Sequence, residues 1–389
     1  MELEAIRNSP VGELVPSDWT DAQGRHLKYE AFVPDSLPLE LELETPTWNV
    51  VLEAATALSK LDQGGSQIPA PELLRGPAIR REAQSTSALE GTYAAFTDLL
   101  EAEQEDEKPL HGAIVELLNY VQVAEHAFDW VSERPVTFSM LGQLQKTLVA
   151  NTPGDLPDSG GIRDRQVLVG SPGGSVEEAR YIPPPPGDPL KAGAEELLRW
   201  MQDENSKFHP VVRAALAHYQ FEALHPFSDG NGRIGRLLIV LQLLQDKVLR
   251  DPLLVVSPWF EARRREYQDQ LLSLSQTGNF DAWIAFFCEG IRSQASSTLE
   301  RIENLRAYQQ EVREFCQKEK IRGVAARIAE DLIGNPMLQT TRTGRRYGVT
   351  YQAANKAIAK LVEFGLLEEM TGRRYGRTYR APGVLEILQ

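Results

Sequence analysis

The run His225-Pro226-Phe227-Ser228-Asp229-Gly230-Asn231-Gly232-Arg233-Ile234-Gly235-Arg236 brings together side chains that handle protons, metals and phosphates. Gly230, Asn231 and Gly232 allow a backbone that bulkier residues would block, so successive N–H groups can turn inward as an anion nest. The apolar run that starts at Leu237 predicts a helix whose positive end faces the same point. Arg233 and Arg236 are three residues apart, hence on one helical face, and their forked donors suit phosphate oxygens. Asp229 is placed to hold Mg2+ across polyphosphate oxygens, and His225 to act as a general base on a hydroxyl brought to the phosphate. Phe227 reads as an anchor for the loop in the core.

Each part alone has a plainer explanation. A Gly-Asn-Gly turn is usually only a turn, a histidine before proline is usually packed, and two arginines can be a solvated face. All the roles meeting within one short segment favour transfer onto or from a nucleotide, with Mg2+ at its polyphosphate.

Positioning such a loop needs a body of helices. Apolar periodicity predicts them at about 48–61, ended by Gly64-Gly65, and at 71–89, 92–104, 110–132 and 137–149. They resume at about 188–205, 209–224, 230–247, 260–276, 280–291 and 293–318. Gln104 to Lys108 reads as a charged turn. Between the two groups, Gln166-Val167-Leu168-Val169 and Ala179-Arg180-Tyr181-Ile182 look extended around a Gly170 to Ser175 turn, a hairpin signal, and Pro183 to Pro186 stop the second strand. The first 45 residues contain Pro10, Pro16, Pro34 and Pro38, with Pro46 directly after them, and suit an extended arm. The expected division is 1–45 arm, 46–110 helical region, 111–292 core, 293–320 linking helix and 321–389 C-terminal domain.

The whole chain of 389 residues carries a net charge of −14, against a general nucleic-acid coat. Residues 321–389 carry +5 and the first 320 carry −19. In that basic tail, a helix near 321–333, a break at Gly334-Asn335-Pro336, a helix at 350–364 and two short strands predict a winged helix-turn-helix. Gln352, Asn355 and Lys356, with Arg373, Arg374 and Arg377 on the wing, would contact DNA; protein docking or dimerisation is the other use of such a module. Only Cys288 and Cys316 occur, too few for a disulfide framework or a cysteine-based zinc site. The longest nearly apolar stretch, Leu237 to Leu244, is far below the span of about 20 residues that a bilayer requires. With no signal-peptide pattern after Met1, a cytoplasmic protein is expected.

The 225–236 segment matches every position of the motif His-x-Phe-x-Asp/Glu-Gly-Asn-Gly-Arg-x-x-Arg, and so resembles the Fic family. That resemblance implies a mainly α fold, a Fic-type helical core with a small β-hairpin flap, and transfer of AMP from MgATP to a Ser, Thr or Tyr hydroxyl of a target protein. It implies His225 as base, Asp229 as Mg2+ ligand, Gly230, Asn231 and Gly232 as nest, and Arg233 and Arg236 as phosphate clamps. Arg180, Tyr181 and Ile182 would belong to the flap, which docks the target's backbone by β-augmentation. Thr86-Ser87-Ala88-Leu89-Glu90-Gly91 is similar to the family's inhibitory motif, with Glu90 pairing Arg236 in place of the γ-phosphate. An aromatic near Tyr267 would line the adenine pocket; relatives often carry two adjacent tyrosines, and here Gln268 follows. Self-modification and a homodimer holding the inhibitory helix closed fit the same picture. The competing readings are AMP removal with Glu90 orienting a water, transfer of another phosphate-containing group, and a DNA-binding regulator whose site only senses nucleotide.

Overall fold

The computed structural model describes residues 6–20, 26–66, 72–104, 112–171, 175–372 and 376–388. In chain order, the antiparallel strands β1 (Gly12–Thr20) and β2 (His26–Pro34) precede the helices α1 (Thr45–Ser66), α2 (Glu72–Leu89), α3 (Phe96–Ala102), α4 (Ala113–Val131) and α5 (Phe138–Val149). An irregular stretch then leads to α6 (Asp188–Met201), α7 (Pro210–Leu224), α8 (Asn231–Gln245), α9 (Ser257–Ala262), α10 (Arg264–Thr277) and α11 (Phe280–Lys318). The C-terminal part holds α12 (Val324–Asp331), β3 (Met337–Gln339), α13 (Thr340–Tyr347), α14 (Tyr351–Glu363), β4 (Glu368–Glu369), β5 (Thr378–Arg380) and α15 (Pro382–Leu388). The fold is mainly helical, as expected. Among the described residues no helix is long and apolar enough to cross a membrane.

A helix without a polar face must be surrounded by others. That is the state of α7 and α8, which are buried on nearly every side, polar residues such as Arg213, His218, Gln220 and Gln242 included. They pack against each other. The link between them is the segment 225–230, so the chemistry-bearing loop is held at both ends by the most buried helices of the protein. Trp283 on α11 seals this centre, fully buried with its indole N–H on Ala215 O at 2.9 Å.

Three elements differ from the sequence expectation. First, the helix predicted to end at Gly64-Gly65 continues to Ser66. A Cβ on Gly64 would collide with Leu299 of α11, and one on Gly65 would come 2.5 Å from Leu253, so these glycines serve close packing instead of termination. Gly65→Val is therefore expected to lower the unfolding free energy in urea melts by about 1–3 kcal/mol through overpacking, whereas replacing an exposed helical glycine by alanine would add about 1 kcal/mol. Second, the two helices expected at 280–291 and 293–318 are one continuous helix, α11, with Asn279 Oδ1 capping Ala282 N at 3.0 Å. Third, much of the expected N-terminal arm is the β1–β2 hairpin. Pro16 lies on a strand of a two-stranded sheet, where no further strand needs its missing N–H.

That hairpin lies against the segment expected to form the flap. Phe32 N donates to Ile182 O at 2.9 Å, Tyr29 Oη to Gln166 Oε1 at 3.0 Å, and Tyr29, Ala31, Ala179 and Ile182 form their own small apolar cluster. Among the described residues the flap itself shows a single bridge, Val169 with Tyr181, in place of two regular strands. Its turn residues 172–174 lie outside the described residues, as do 105–111, which include most of the expected charged turn and the 46–110 boundary.

The C-terminal sheet has the order β3-β5-β4, antiparallel throughout, with α13 and α14 unforeseen and foreseen respectively. This part leans on α2: Gly334 sits where a Cβ would come 2.5 Å from Leu73 O, Arg81 Nη1 donates to Leu388 O at 3.0 Å, and Arg342 donates to Glu103 O. Glu103 in turn receives Nε of Arg80 from α2 at 2.8 and 2.9 Å.

Candidate active site

His225 is the residue at which α7 ends, and it leaves the helix in the left-handed region with φ 48° and ψ 60°. A side chain there costs about 1–3 kcal/mol and persists only when its surroundings fix it. Two main-chain bonds do so: His225 N donates to Phe221 O at 2.9 Å, and His225 O accepts from Arg163 Nε at 2.8 Å. Imidazole Nδ1 lies 3.3 Å from Glu222 O. A carbonyl only accepts, so Nδ1 carries the proton and Nε2 keeps its lone pair. Burial, with Arg163 adding to it, lowers His225 to about 4, and the ring is neutral at neutral pH.

The loop after His225 is closed by its own side chains. Asn231 Oδ1 accepts from Phe227 N at 2.8 Å and its Nδ2 donates to Phe227 O at 2.7 Å, with the Phe227 ring fully buried. Gln145 of α5 donates to Asp229 O at 3.1 Å, and Ser228 Oγ to Asp158 Oδ2 at 2.5 Å. Gly230 takes φ 79°, the left-handed turn that starts α8 and that a side chain would strain.

Arg163 gave no signal in the sequence, yet it is the strut beneath this loop. Besides His225 O it donates to Arg165 O at 3.0 Å and Pro184 O at 2.6 Å, while its own N–H holds Pro226 O at 3.0 Å. Burial brings the guanidinium down to about 10, still charged at neutral pH. Arg163→Met strands three carbonyls, that of Pro184 buried and those of His225 and Arg165 partly so, and denaturant melts should show a loss of about 2–3 kcal/mol; Arg163→Lys should restore only part of it, since an ammonium cannot replace the fork.

The two motif arginines are buried and occupied. Arg233 donates to Asp229 Oδ1 at 2.9 Å and to Glu116 Oε2 at 2.8 Å, a carboxylate from α4 that also accepts from Thr92 Oγ1 at 3.1 Å. Arg236 donates Nε to Thr86 Oγ1 at 2.8 Å, and Nη2 to Thr86 O at 3.0 Å and Glu90 Oε1 at 2.6 Å. Burial alone would raise the Glu90 carboxyl, but Arg236 overrides it and holds the group below its usual value. The side chain still exposes 39% of its surface to the cleft. Its Oε1 crowds the space where a Cβ on Gly232 would stand, at the mouth of the nest. Burial raises Asp229, only partly offset by Arg233.

Glu82, one helical turn before Thr86 on α2, fixes that helix. Its buried carboxylate accepts from Val256 N at 2.8 Å and Ser257 N at 3.0 Å at the start of α9, and from Ser257 Oγ. Glu90 is thus delivered by a seated helix and not by a loose loop.

These groups line a cleft of about 370 Å3 that takes in Glu90, His225, Asp229, Gly230, Asn231, Gly232, Arg233, Arg236 and Tyr267. The structure brings the expected residues together. A smaller, mainly apolar cavity of about 90 Å3, bounded by Val169, Tyr181, Leu271 and Leu272, adjoins it and shares His225, Glu222 and Gln268 with it. Tyr267 is buried, and its hydroxyl meets His218 Nε2 at 2.8 Å, while His218 Nδ1 meets Gly235 O at 2.9 Å. Burial depresses His218 to about 3, so the neutral ring donates from Nδ1 and accepts from Tyr267. Of the flap residues, Arg180 reaches outward to Gln268 and Asp269, whereas Tyr181 donates to Ala223 O at 2.8 Å from a buried position and Ile182 is buried. Glu222, pushed up to about 7 by burial, faces both cavities and was not foreseen either.

Among the described residues no three His, Cys, Asp or Glu side chains form a metal cage. Asp229, with 42% of its side chain open, would be a lone protein ligand. Such a site suits Mg2+, which keeps several waters and completes its shell with phosphate oxygens.

Comparison with known proteins agrees with this geometry. A model described as Fic/DOC family matches residues 135–243, and one described as Fic/DOC family N-terminal matches 48–129. Two proteins named Protein adenylyltransferase Fic, from Drosophila melanogaster and Drosophila ananassae, are 36% and 35% identical over 116 residues, which cover 30% of this chain and 21% of each relative. The chain thus matches about a fifth of the length of these relatives. The crystal structure of a Fic family protein from Desulfovibrio desulfuricans G20 shares the fold, with a TM-score of 0.57 at 21% identity over 88% of this chain and 97% of that one. With a helical fold and a complete motif loop, residues 135–243 of this chain match the Fic/DOC family, and residues 48–129 match its N-terminal family.

Proposed function

We propose that the cleft transfers AMP from ATP, with Mg2+, to a Ser, Thr or Tyr hydroxyl of a target protein, and that Glu90 holds it inhibited. One observation carries the reading: the nest at the start of α8 already has an anion at its mouth, the Glu90 carboxylate 2.6 Å from Arg236. A site that draws a carboxylate onto a buried arginine beside helical N–H groups is suited to phosphate oxygens.

The residues divide the work as follows. His225 Nε2 takes the proton of the target hydroxyl. That oxygen bonds the α-phosphorus while the bond from the α-phosphorus to the bridging oxygen breaks, and pyrophosphate leaves. Gly230, Asn231 and Gly232 supply the nest for the departing phosphates, with Arg233 and Arg236 as their cationic neighbours. Asp229 would hold Mg2+, which when bound neutralises polyphosphate charge. The adenine would lie where the apolar cavity beside Leu271 adjoins the cleft, with Tyr267, held by His218, in the wall of the cleft. The 166–182 segment, Arg180, Tyr181 and Ile182 included, would frame the target; with Tyr181 and Ile182 turned inward, the contact would be through main chain and through Arg180.

The test is covalent transfer from α-labelled ATP with Mg2+, followed as self-labelling and as labelling of a cell lysate, in wild type, Glu90→Gly, and Glu90→Gly with His225→Ala. Label that rises with the first change and vanishes with the second supports the reading. Product mass decides the reaction: an added AMP supports transfer, while loss of AMP from a premodified protein, or a different added mass, would replace it.

A further inference from the structure

The C-terminal domain presents a surface that AMP transfer does not use. α13 ends at Gly348, which takes φ 65°, and after a two-residue turn Thr350 Oγ1 caps α14 by accepting from Ala353 N at 3.2 Å. A glycine in the left-handed region is what allows two short helices to meet at so tight a turn. The inner face of α14, formed by Ala354, Ala357, Ile358 and Leu361, is buried. Its outer face carries Tyr351, 52% exposed, with Gln352, Asn355 and Lys356 beside it, and Arg345 stands exposed in the last turn of α13. None of these five side chains has a hydrogen-bonding or ionic partner among the described residues.

We infer that this helix-turn-helix face docks duplex DNA, with α14 in the major groove. Gln352, Asn355 and Lys356 stand at i, i+3 and i+4, hence on one face near the start of the helix, the end that meets base edges in this geometry. An amide side chain can pair with adenine at two points, and a lysine can donate to guanine N7 and O6. Charge points the same way. Residues 321–389 carry +5 on a chain of −14. Most acidic groups of the domain are already engaged: Glu330 with Arg313 at 3.0 Å, Asp331 with the Tyr347 hydroxyl at 2.7 Å, Glu368 with Arg380 at 3.0 Å and Glu369 with Arg377 at 3.3 Å. Arg345 and Lys356 are left free to meet phosphate. Arg373 and Arg374, expected on the wing, lie outside the described residues.

The inference stands apart from AMP transfer, and its test reads DNA alone. A fluorescein-labelled duplex pool of roughly 20 bp with randomised sequence is titrated with the full chain, by anisotropy, at about 50 and about 200 mM KCl. Saturable binding that weakens at least about tenfold between the two salts is expected, from a few phosphate contacts. The combined Gln352→Ala, Asn355→Ala, Lys356→Ala variant, with unchanged circular dichroism, should bind at least about tenfold more weakly at low salt, and Arg345→Ala alone should reduce the salt slope by about one. Equal affinity of wild type and the triple variant overturns the inference, as does absence of saturable binding. It is also overturned if the wild type binds no duplex but self-associates in sedimentation and the triple variant does not, which would give the face to a second copy of the chain.

Discussion

His225→Ala is expected to lower AMP transfer in the uninhibited Glu90→Gly background by about 10²–10⁴-fold, the range of a lost general base. The reason is geometric before it is chemical. The histidine is fixed at both its N–H and its carbonyl, by Phe221 and Arg163, and its Nδ1 proton is given to Glu222 O. Only Nε2 is left to accept. Alanine keeps the backbone bonds, so the variant should melt within a few degrees of its parent, and loss of rate with retained folding is the informative pair. The pH profile adds a sign. Burial and Arg163 hold the imidazole down to about 4, and Glu90 pulls it the other way, so removing Glu90 lowers it further. The imidazole is therefore unprotonated throughout the range near neutrality. The acid limb of kcat/KM, which reports the free enzyme, should lie well below the 6.5 of an ordinary histidine. A limb at 6.5 would show that the proton acceptor is another group or that His225 is open to water.

Glu90→Gly is expected to raise labelling by on the order of tenfold or more, the scale of a typical coupling between a regulatory and a ligand site. Glu90 is not an inhibitor that must be found in solution: it is tethered to α2 and meets Arg236 at 2.6 Å in a cleft where ATP would need the same arginine. On the proposed inhibition, ATP would bind only by displacing it. In the variant, Arg236 keeps its two bonds to Thr86 and so stays aimed at the nest. The apparent KM for ATP should fall as the rate rises, and ATP should raise the melting temperature more in Glu90→Gly than in wild type. Glu90→Gln, which keeps the volume and removes the charge, should fall between them. Wild-type labelling in all three forms would mean that the carboxylate leaves the nest at no cost.

The motif loop was legible because its logic is local: glycines, an acid, a base and two arginines lie within one turn of chain, and a neighbouring helix start requires them to converge. Glu90 was legible only through resemblance, since nothing in its own six residues says which arginine it meets. The supporting groups were not legible at all. Arg163 acts through three carbonyls spread from residue 165 to 225, Glu116 through an arginine over a hundred positions away, and His218 through Tyr267 and Gly235. Long-range partners leave no period in a sequence. Gly64 and Gly65 misled for a related reason, because a glycine that makes room for a neighbouring helix reads the same as one that ends its own. The β1–β2 hairpin was hidden by prolines that a two-stranded sheet tolerates.

One helix, α2, touches both ends of the protein's business. Its C-terminal turn presents Thr86 and Glu90 to Arg236, and its other side is gripped at Leu73 and Arg81 by the C-terminal domain. An element shared in this way obliges a thermodynamic bargain between the sites. Any ligand of the C-terminal domain that prefers one seating of α2 over another changes the affinity of the cleft for nucleotide by some factor, and nucleotide must change the affinity for that ligand by the same factor. Reciprocity makes the cleft a reporter on the far domain, and the far domain a reporter on whether Glu90 is in its nest.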